Sequence, residues 1–256
     1  MGRTHIDFNV DLAQVFGAFK EEKEFQALDY VSSAYVSCGF HAGDPLSIRE
    51  MLLRCKEKNI CIGAHVGYND LQGFGYRPIA LSPSEIEAIV IYQIGALTSL
   101  AKSYSLTIEN VRPHGALYRL CALDYDIALA VVSAIKKFDK WLSFTGLDNP
   151  ILDRVAAETG IVVNREVLLD KPYRADSSVD WNSNSFLPDE VALNRVRTIM
   201  HSSQIKLPEG KFLPVNCDTL HFSIKNPTGM NLLKSARELV EPTPVAYNRA
   251  ELSGWV

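Results

Sequence analysis

The stretch Tyr35-Val-Ser-Cys-Gly-Phe-His-Ala-Gly-Asp-Pro45 passes from an apolar strand, through a glycine-bracketed turn carrying His41 and Asp44, into a helix. In α/β proteins this order places reactive side chains at the carboxyl end of a sheet. Three further stretches share the design, each with a carboxylate or histidine at or near a predicted strand end: Asp7-Phe-Asn-Val-Asp11, Gly63-Ala-His-Val-Gly67 and Arg112-Pro-His-Gly115. The recurrence predicts a parallel α/β fold whose polar strand ends meet at one site.

The first strand predicts a barrel because its two faces differ. Between positions 5 and 12 the even positions are apolar and the odd positions are polar. The apolar face is expected to meet helices, and the polar face to line the barrel interior. Buried polar groups are costly unless they are paired, hydrated or bound to a ligand, so Asp7, Asn9 and Asp11 become candidate site residues. The alternative is a solvent-exposed edge strand.

Strands and helices alternate along the chain and predict an irregular seven-stranded parallel (β/α) barrel, similar to a TIM barrel, in one domain over residues 1–256. The predicted strands are 5–12, 33–39, 60–65, 110–114, 141–146, 161–167 and 212–220. The predicted helices are 45–58, 83–100, 124–135, 150–157, 188–201 and 227–240, the last capped by Asn226. Residues 66–77 and 171–187 are predicted to be long loops.

Composition excludes several classes of protein. Hydrophobic residues make up 47% of the 256 residues, as in ordinary globular proteins. A net charge of -4 without a long basic run argues against nucleic acid as a partner. No apolar run approaches the roughly 20 residues of a membrane helix, and the first residues lack the apolar core of a signal peptide. Five scattered cysteines without a Cys-x-x-Cys pair indicate reduced thiols and predict a cytoplasmic protein.

Two residues of the opening stretch have structural interpretations beside the functional ones. Asp44 precedes Pro45, which is typical of an N-cap followed by proline at the first helical position. We therefore rank Asp44 as a cap first and a substrate-binding residue second. Cys38 is either a nucleophile beside the His41 turn or, by the more common role of free cysteine, a small buried residue.

A barrel would gather the polar strand ends at one mouth. The residues expected to converge there are Asp7, Asn9, Asp11, His41, His65, His114 and Glu166. Carboxylates and imidazoles together serve acid–base chemistry or metal binding. The predicted catalytic residues are Asp11, His41, His65 and His114, although any one histidine could be structural. A divalent metal remains open, with Asp11, His41 and His65 as candidate ligands, because the histidines lie on different strands rather than at local zinc spacing.

These motifs resemble the LamB/YcsF family, of which the chain would be a divergent member. The matching runs are Asp7-Phe-Asn-Val-Asp-Leu12, Ser33-Ala-Tyr-Val-Ser-Cys-Gly-Phe-His-Ala-Gly-Asp-Pro45, Gly63-Ala-His-Val-Gly-Tyr-Asn-Asp70, Gly73-Phe-Gly75, Tyr92-Gln-Ile-Gly-Ala-Leu97 and Arg112-Pro-His-Gly-Ala-Leu-Tyr118. The resemblance spans at least residues 4–175. It implies a barrel similar to those of glycoside hydrolases and polysaccharide deacetylases. The implied activity opens the lactam ring of 5-oxoproline to glutamate, with ATP consumed and two other 5-oxoprolinase subunits as partners.

The chain departs from the family pattern at several charged positions. The family's Asp-Leu-Gly-Glu is Asp11-Leu-Ala-Gln14, and its Gly-Phe-Gly-Arg is Gly73-Phe-Gly-Tyr76 followed by Arg77. Its Lys-Pro-His-Gly is Arg112-Pro-His-Gly115, which keeps the charge. Its Ala-Asp-Arg is Leu169-Asp-Lys171, and an arginine expected a few residues later is replaced near Asn182. Its terminal Cys-Val-His-Gly-Asp is reduced to Cys217-Asp-Thr-Leu, with His221 displaced.

Three functional hypotheses follow. The first is a lactam amidohydrolase subunit in which Asp11 and the histidines activate water or position the ring, while Arg112 or Lys171 holds the substrate carboxylate. Asp7, Asn9, Asp44 and Glu166 complete its predicted substrate-binding set. The second is a non-catalytic relative that binds a ligand or a subunit, suggested by the lost charged positions. The third is a metal-dependent deacetylase or hydrolase, suggested by analogy of barrel and of ligand types.

Overall fold

The computed structural model describes residues 5–17, 21–181, 186–207 and 209–245. Its strands are β1 Asp7–Leu12, β2 Ser33–Ser37, β3 Cys61–Val66, β4 Asn110–Pro113, β5 Ser143–Leu147, β6 Val163–Leu168, β7 Gln204–Lys206, β8 Phe212–Pro214 and β9 Thr219–His221. Its helices are α1 Glu22–Ala27, α2 Pro45–Glu57, α3 Pro83–Lys102, α4 Gly115–Cys121, α5 Tyr125–Phe138, α6 Pro150–Thr159, α7 Asp189–Ser202 and α8 Gly229–Leu239.

Seven parallel strands close into a barrel in the order β1-β2-β3-β4-β5-β6-β9. Closure occurs where β9 pairs with both β1 and β6, so that Asn9 and Leu168 both lie opposite His221. The predicted (β/α) barrel is therefore confirmed. Because β1 has a parallel neighbour on each side, the alternative of an exposed edge strand is wrong.

The alternation of β1 sorts its side chains between core and interior as predicted. Its apolar residues are at most 2% exposed and belong to the core between strands and helices: Ile6, Phe8, Val10 and Leu12. Asp7 and Asn9 are fully buried inside the barrel, where each of them hydrogen-bonds to other polar side chains. Burial of the apolar face stabilises the barrel by about 25 cal/mol for each Å² removed from water.

The helices begin where the local sequence signals place them. Asp44 accepts hydrogen bonds from the backbone of Leu46 and Ser47 at the start of α2, and Ser82 forms a capping box with Glu85 at the start of α3. The buried face of α2 consists of Ile48, Met51, Leu52 and Cys55. The expectation that this helix packs outside the barrel through that face is confirmed.

The last third of the chain differs from its prediction. The expected strand 212–220 is two strands: β8 forms an antiparallel hairpin with β7, and only β9 enters the barrel. The final helix starts at Gly229 rather than at 227, with Thr228 as its N-cap. Asn226 caps no helix but accepts a hydrogen bond from the Thr228 backbone. Two short helices, α1 and α4, were not predicted because six and seven residues give too little periodicity to recognise.

Over the part of the chain that the structure describes, no helix combines the length and the apolar character needed to cross a membrane.

Candidate active site at the barrel mouth

Asp7 lies at the floor of the barrel interior. Its carboxylate accepts hydrogen bonds from Ser32 and Ser33, both at 2.6 Å, and from Thr219. Burial raises the pKa of Asp7 to about 6, although the three hydroxyls favour the ionised form. The side chain is fully buried and has a complete set of partners, so its surroundings are those of a structural group beneath the site.

Asn9 and Glu166 form the next layer. The Asn9 amide nitrogen donates to Glu166 at 2.9 Å and to Thr219 at 2.6 Å, and its oxygen lies 2.8 Å from Nδ1 of His221. Glu166 also accepts from the Tyr118 hydroxyl at 2.6 Å. The Glu166 carboxylate on β6 is thus linked to Asn9 on β1 and to Tyr118 on α4.

Arg112 joins this layer to the mouth of the barrel. Its Nε lies 2.9 and 3.0 Å from the two oxygens of Glu166, and its Nη1 lies 2.9 and 3.2 Å from those of Asp11. Burial alone would raise the pKa of both carboxyls, but the guanidinium charge holds the pKa of Glu166 below its usual range and that of Asp11 well below. The three groups form a buried ion triad with a net negative charge.

Asp11 is the carboxylate of the triad that reaches the mouth, with 17% of its side chain exposed. Its Oδ2 lies 3.2 Å from Nε2 of His65 and 3.8 Å from Nε2 of His221. The predicted inward orientation of Asp11 beside histidines is thus observed. His221, which the sequence analysis treated as displaced, is one of the two nearest imidazoles.

His65 and His114 contact each other, and each also contacts a backbone carbonyl. Nδ1 of His65 contacts the Arg112 carbonyl at 3.0 Å, and Nε2 of His114 contacts the Phe74 carbonyl at 2.7 Å. Carbonyls only accept, so both outer nitrogens carry hydrogen. The inner nitrogens, Nε2 of His65 and Nδ1 of His114, lie 3.0 Å apart, and burial together with the neighbouring His65 lowers the pKa of His114 to about 3. Asp11 lies beside this contact, with its Oδ2 3.2 Å from Nε2 of His65.

His41 lies deeper than expected. The side chain of His41 is fully buried, whereas Gly39, Phe40 and Asp44 of the same turn are partly exposed, as expected for the turn as a whole. Its ring stacks on His114 with centroids 3.9 Å apart and meets His65 at 5.1 Å, which confirms that the histidines share one cluster. Backbone packs closely over the ring: a Cβ on Gly67 would lie 2.7 Å from Nδ1 of His41, and Gly75 has φ +71°. Burial and the neighbouring imidazoles hold the pKa of His41 well below its usual range.

The histidine cluster meets the distance requirement for a metal but not the orientation requirement. Ligand atoms of His41, His65 and His114 lie within 4.8 Å of one another. The His41 and His114 rings are stacked with planes that differ by only 12°, however, so their in-plane lone pairs lie in two nearly parallel planes and do not converge on one point. Arg112 also engages both oxygens of Asp11. A metal would require these groups to rearrange, and its presence stays a prediction.

A cavity of about 560 Å³ opens at the carboxyl end of the barrel directly above Asp11. Its polar wall contains Asp11, Arg112, His114, Asp170, Lys171, His221 and Lys225. Its apolar and aromatic wall includes Tyr76, Tyr118, Trp181 and Phe186. The ammonium of Lys225 lies 3.7 Å from the Phe74 ring and that of Lys171 lies 4.6 Å from the Phe186 ring, both at cation–π distance.

The predicted site residues occupy three kinds of position. Asp11, Arg112, His114 and Lys171 line the cavity; Asp7, Asn9, His41, His65 and Glu166 are buried beneath or beside it. Asp44 lies away from this cavity, where it caps α2 and accepts a hydrogen bond from the backbone of Gly17. Cys38 is buried, and burial raises its pKa to about 12, which favours the structural interpretation. The position near Asn182 lies outside the described residues.

Sequence reasoning missed three of these polar residues of the cavity wall: Asp170, His221 and Lys225. His221 ends a strand of only three residues, too short for a recognisable pattern, and Lys225 follows it in an irregular turn. The signal available was the resemblance of His221 to His65 and His114, since each of the three follows an apolar residue near the carboxyl end of a strand. The single strand predicted over residues 212–220 combined β8 and β9, and it ended one residue before His221.

The fold and the site together define a parallel (β/α)-barrel protein with a carboxylate–imidazole cluster beneath a pocket at the carboxyl ends of its strands. The model of the LamB/YcsF family matches residues 6–252. A Pyrococcus horikoshii protein, named as a 5-oxoprolinase subunit, is 35% identical over 239 residues, which cover 92% of this chain and 94% of the relative. The chain belongs to the LamB/YcsF family.

Two further comparisons agree with this membership. A Campylobacter jejuni protein, also named as a 5-oxoprolinase subunit, is 35% identical over 236 residues, 91% of this chain and 92% of the relative. The crystal structure of the lactam utilization protein from Thermus thermophilus superposes with a TM-score of 0.84 at 31% identity. That superposition covers 97% of this chain and 98% of the other.

Proposed function

We propose that this chain is a subunit of a lactam-opening amidohydrolase that converts 5-oxoproline to glutamate. The names of its relatives support the substrate class and the membership of a complex. Consumption of ATP and the need for two other subunits enter the proposal by resemblance to the family. No ATP site is assigned to the residues described above.

The observation that carries the proposal is the cavity above Asp11. A ring-opening hydrolase must hold a small ring and its carboxylate, and must also activate water next to the lactam carbonyl. The cavity offers aromatic surface for the ring, the cations Lys171 and Lys225 for a carboxylate, and Asp11 with two imidazoles at its floor. These are the residue types that the reaction requires, in one pocket.

Arg112 is less suited than the two lysines to bind the substrate carboxylate. Both edges of its guanidinium are engaged, by Glu166 on one side and by Asp11 on the other. A substrate carboxylate would have to displace one of these buried partners, which would leave a carboxylate unpaired. Lys171 and Lys225 have no ion pair among the described residues, and both line the cavity.

The reaction adds water across the amide bond of the ring. The water oxygen bonds to the lactam carbonyl carbon, the ring C–N bond breaks, and a proton reaches the departing nitrogen. Asp11 carries the negative charge that stabilises an imidazolium formed when a histidine takes the proton from water.

A coupled assay tests the proposal directly. The chain is combined with the two other subunits from its native host, and glutamate formation from 5-oxoproline is measured with and without ATP. We expect turnover that requires this chain and ATP. Absence of glutamate with all three subunits present overturns the proposal. Pull-down from the native host, with this chain as bait, identifies the partners for that assay.

A further inference from the structure

His221 occupies a distinctive position in the cavity. It ends the short strand β9, lines the cavity wall and is 6% exposed. Its Nδ1 lies 2.8 Å from the Asn9 amide oxygen, whereas its Nε2 lies 3.8 Å from Asp11, beyond hydrogen-bond range. One nitrogen is thus anchored and the other is directed toward the cavity floor.

The orientation of the Asn9 amide is fixed by its other partners. Its nitrogen donates to Glu166 at 2.9 Å. Glu166 also accepts three hydrogen bonds from Arg112 and one from Tyr118. As a carboxylate it can only accept, so the Asn9 group that faces it must be a donor. A flipped amide would place its oxygen against the Glu166 carboxylate. The Asn9 oxygen therefore faces His221 and accepts from it.

This contact determines the tautomer of His221. An amide oxygen only accepts, so Nδ1 of His221 carries the hydrogen and Nε2 of the neutral ring carries the lone pair. The hydrogen bonds from Glu166 through Asn9 to His221 fix the tautomer and orientation of the imidazole, as a carboxylate does directly in hydrolase triads. Here the Asn9 amide lies between the carboxylate and the imidazole. Arg112 and Tyr118 hold Glu166 in place.

The other imidazoles of the site are less available as bases. Both nitrogens of His65 and of His114 are engaged with carbonyls, with each other or with Asp11. His41 is stacked on His114 and fully buried. Among the histidines placed by the structure in this cluster, His221 combines an unbonded nitrogen with a position on the cavity wall.

We infer that Nε2 of His221 is the general base of the ring-opening reaction, an assignment that rests on the proposed function. Nε2 takes one proton from the attacking water as its oxygen bonds to the lactam carbonyl carbon. The imidazolium so formed lies beside the Asp11 carboxylate, 3.8 Å away. The same proton then passes to the ring nitrogen as the C–N bond breaks, so that this step adds one water across the amide bond and returns His221 to its starting state.

The first test reads the tautomer without any activity. Long-range ¹H–¹⁵N spectra of histidine-labelled protein at neutral pH distinguish a protonated from an unprotonated ring nitrogen, and His221→Gln assigns the signal. We expect Nδ1 protonated and Nε2 unprotonated in the wild type. A signal with hydrogen on Nε2, or an imidazolium, overturns the assignment whether or not the enzyme turns over 5-oxoproline.

The second test separates catalysis from binding in the assembled complex. His221→Gln should lower kcat by about 10²-fold or more, the ordinary contribution of a general base, and leave binding of 5-oxoproline by calorimetry within about threefold. His201→Gln, an exposed histidine on α7, is the matched control and should leave kcat unchanged. A kcat within threefold of wild type for His221→Gln overturns the assignment. An inactive wild-type complex overturns the proposed function instead, and the tautomer measurement then decides the role of His221.

Discussion

Arg112 holds Asp11 in a two-point contact, with Nη1 2.9 and 3.2 Å from the two carboxylate oxygens. The contact fixes the orientation of Asp11, the carboxylate of the ion triad that reaches the cavity, and keeps it ionised. It also turns the guanidinium away from a role in substrate binding. Because the opposite edge of Arg112 is bound to Glu166, the arginine ties the catalytic floor to the structural layer beneath it.

Replacement of Arg112 by methionine should cost about 3–5 kcal/mol of unfolding free energy, since it leaves two carboxylates, Asp11 and Glu166, without their counter-charge. Urea denaturation followed by circular dichroism measures the loss. Arg197→Met, on the exposed side of α7, is the control and should change stability by less than about 0.5 kcal/mol. Equal stability of the two variants would contradict the description of a buried ion triad.

Lysine replacements identify the residue that holds the substrate carboxylate. If Lys225 or Lys171 donates to it, substitution by methionine should raise KM for 5-oxoproline about tenfold or more with little change in kcat, because uniform binding is lost. The exposed Lys211→Met serves as the control. KM values unchanged in both cavity variants would show that the carboxylate binds elsewhere.

Asp7→Asn should remove part of the pH dependence of stability. The pKa of Asp7 is about 6 in the folded protein, whereas that of an exposed aspartate is near 4. Because the folded pKa is the higher one, the contribution of Asp7 is most favourable below about pH 4 and is lost as the pH rises through about 6. Relative to Asp7→Asn, the wild type should lose on the order of 3 kcal/mol over this interval.

Thermal or urea unfolding of both proteins at a series of pH values measures this difference, in which the titration of all other groups cancels. Asp126→Asn, exposed on α5, provides the comparison for an aspartate without burial. Wild-type and Asp7→Asn curves that run parallel across the interval would contradict the raised pKa.

Ala13→Gly should leave the stability of the protein nearly unchanged. Ala13 has φ +56°, a left-handed conformation that costs an alanine about 1–2 kcal/mol, and the family pattern has glycine there. Glycine relieves this strain, but the variant loses about 0.8 kcal/mol with the buried methyl group and about 0.5–1 kcal/mol through the greater freedom of glycine in the unfolded chain, so the net change should lie within about 0.5 kcal/mol of zero. Ala157→Gly, exposed within α6, should lose about 1 kcal/mol. A loss of about 1 kcal/mol or more at Ala13 as well would contradict strain at that position.

Much of the fold could be predicted because the alternating sequence of β1 indicates what packs against each of its two faces. The alternation of Phe8 and Val10 with Asn9 and Asp11 required a helix layer on one side and a polar interior on the other. The partners of Arg112 could not be predicted in the same way. Arg112 lies on β4, whereas Glu166 and Asp11 lie on β6 and β1, and neither of these strands is adjacent to β4. The contacts among the three side chains therefore depend on barrel closure and strand register.

Two other features of the site depended on tertiary packing alone. His41 is buried because the loop around Phe74 and Gly75 lies over it, and the length of that loop could be predicted but not its path. His221 ends β9, a strand of only three residues that is extended because it pairs with β1 and β6 and not because of a local sequence preference. A longer β9 would have shown the alternation that made β1 recognisable.

Asp11→Asn tests the chemistry at the floor of the cavity. The substitution keeps size and hydrogen bonding but removes the charge that faces Arg112, His65 and His221. Because one face of Asp11 is exposed and Glu166 still pairs with Arg112, the protein should fold with a moderate loss of stability. An imidazolium formed by proton transfer would then lack its counter-charge. We expect kcat in the assembled complex to fall about 10²–10⁴-fold, the range of general acid–base contributions. A loss below about threefold, in a variant whose circular dichroism and unfolding transition match a folded barrel, would assign Asp11 to structure.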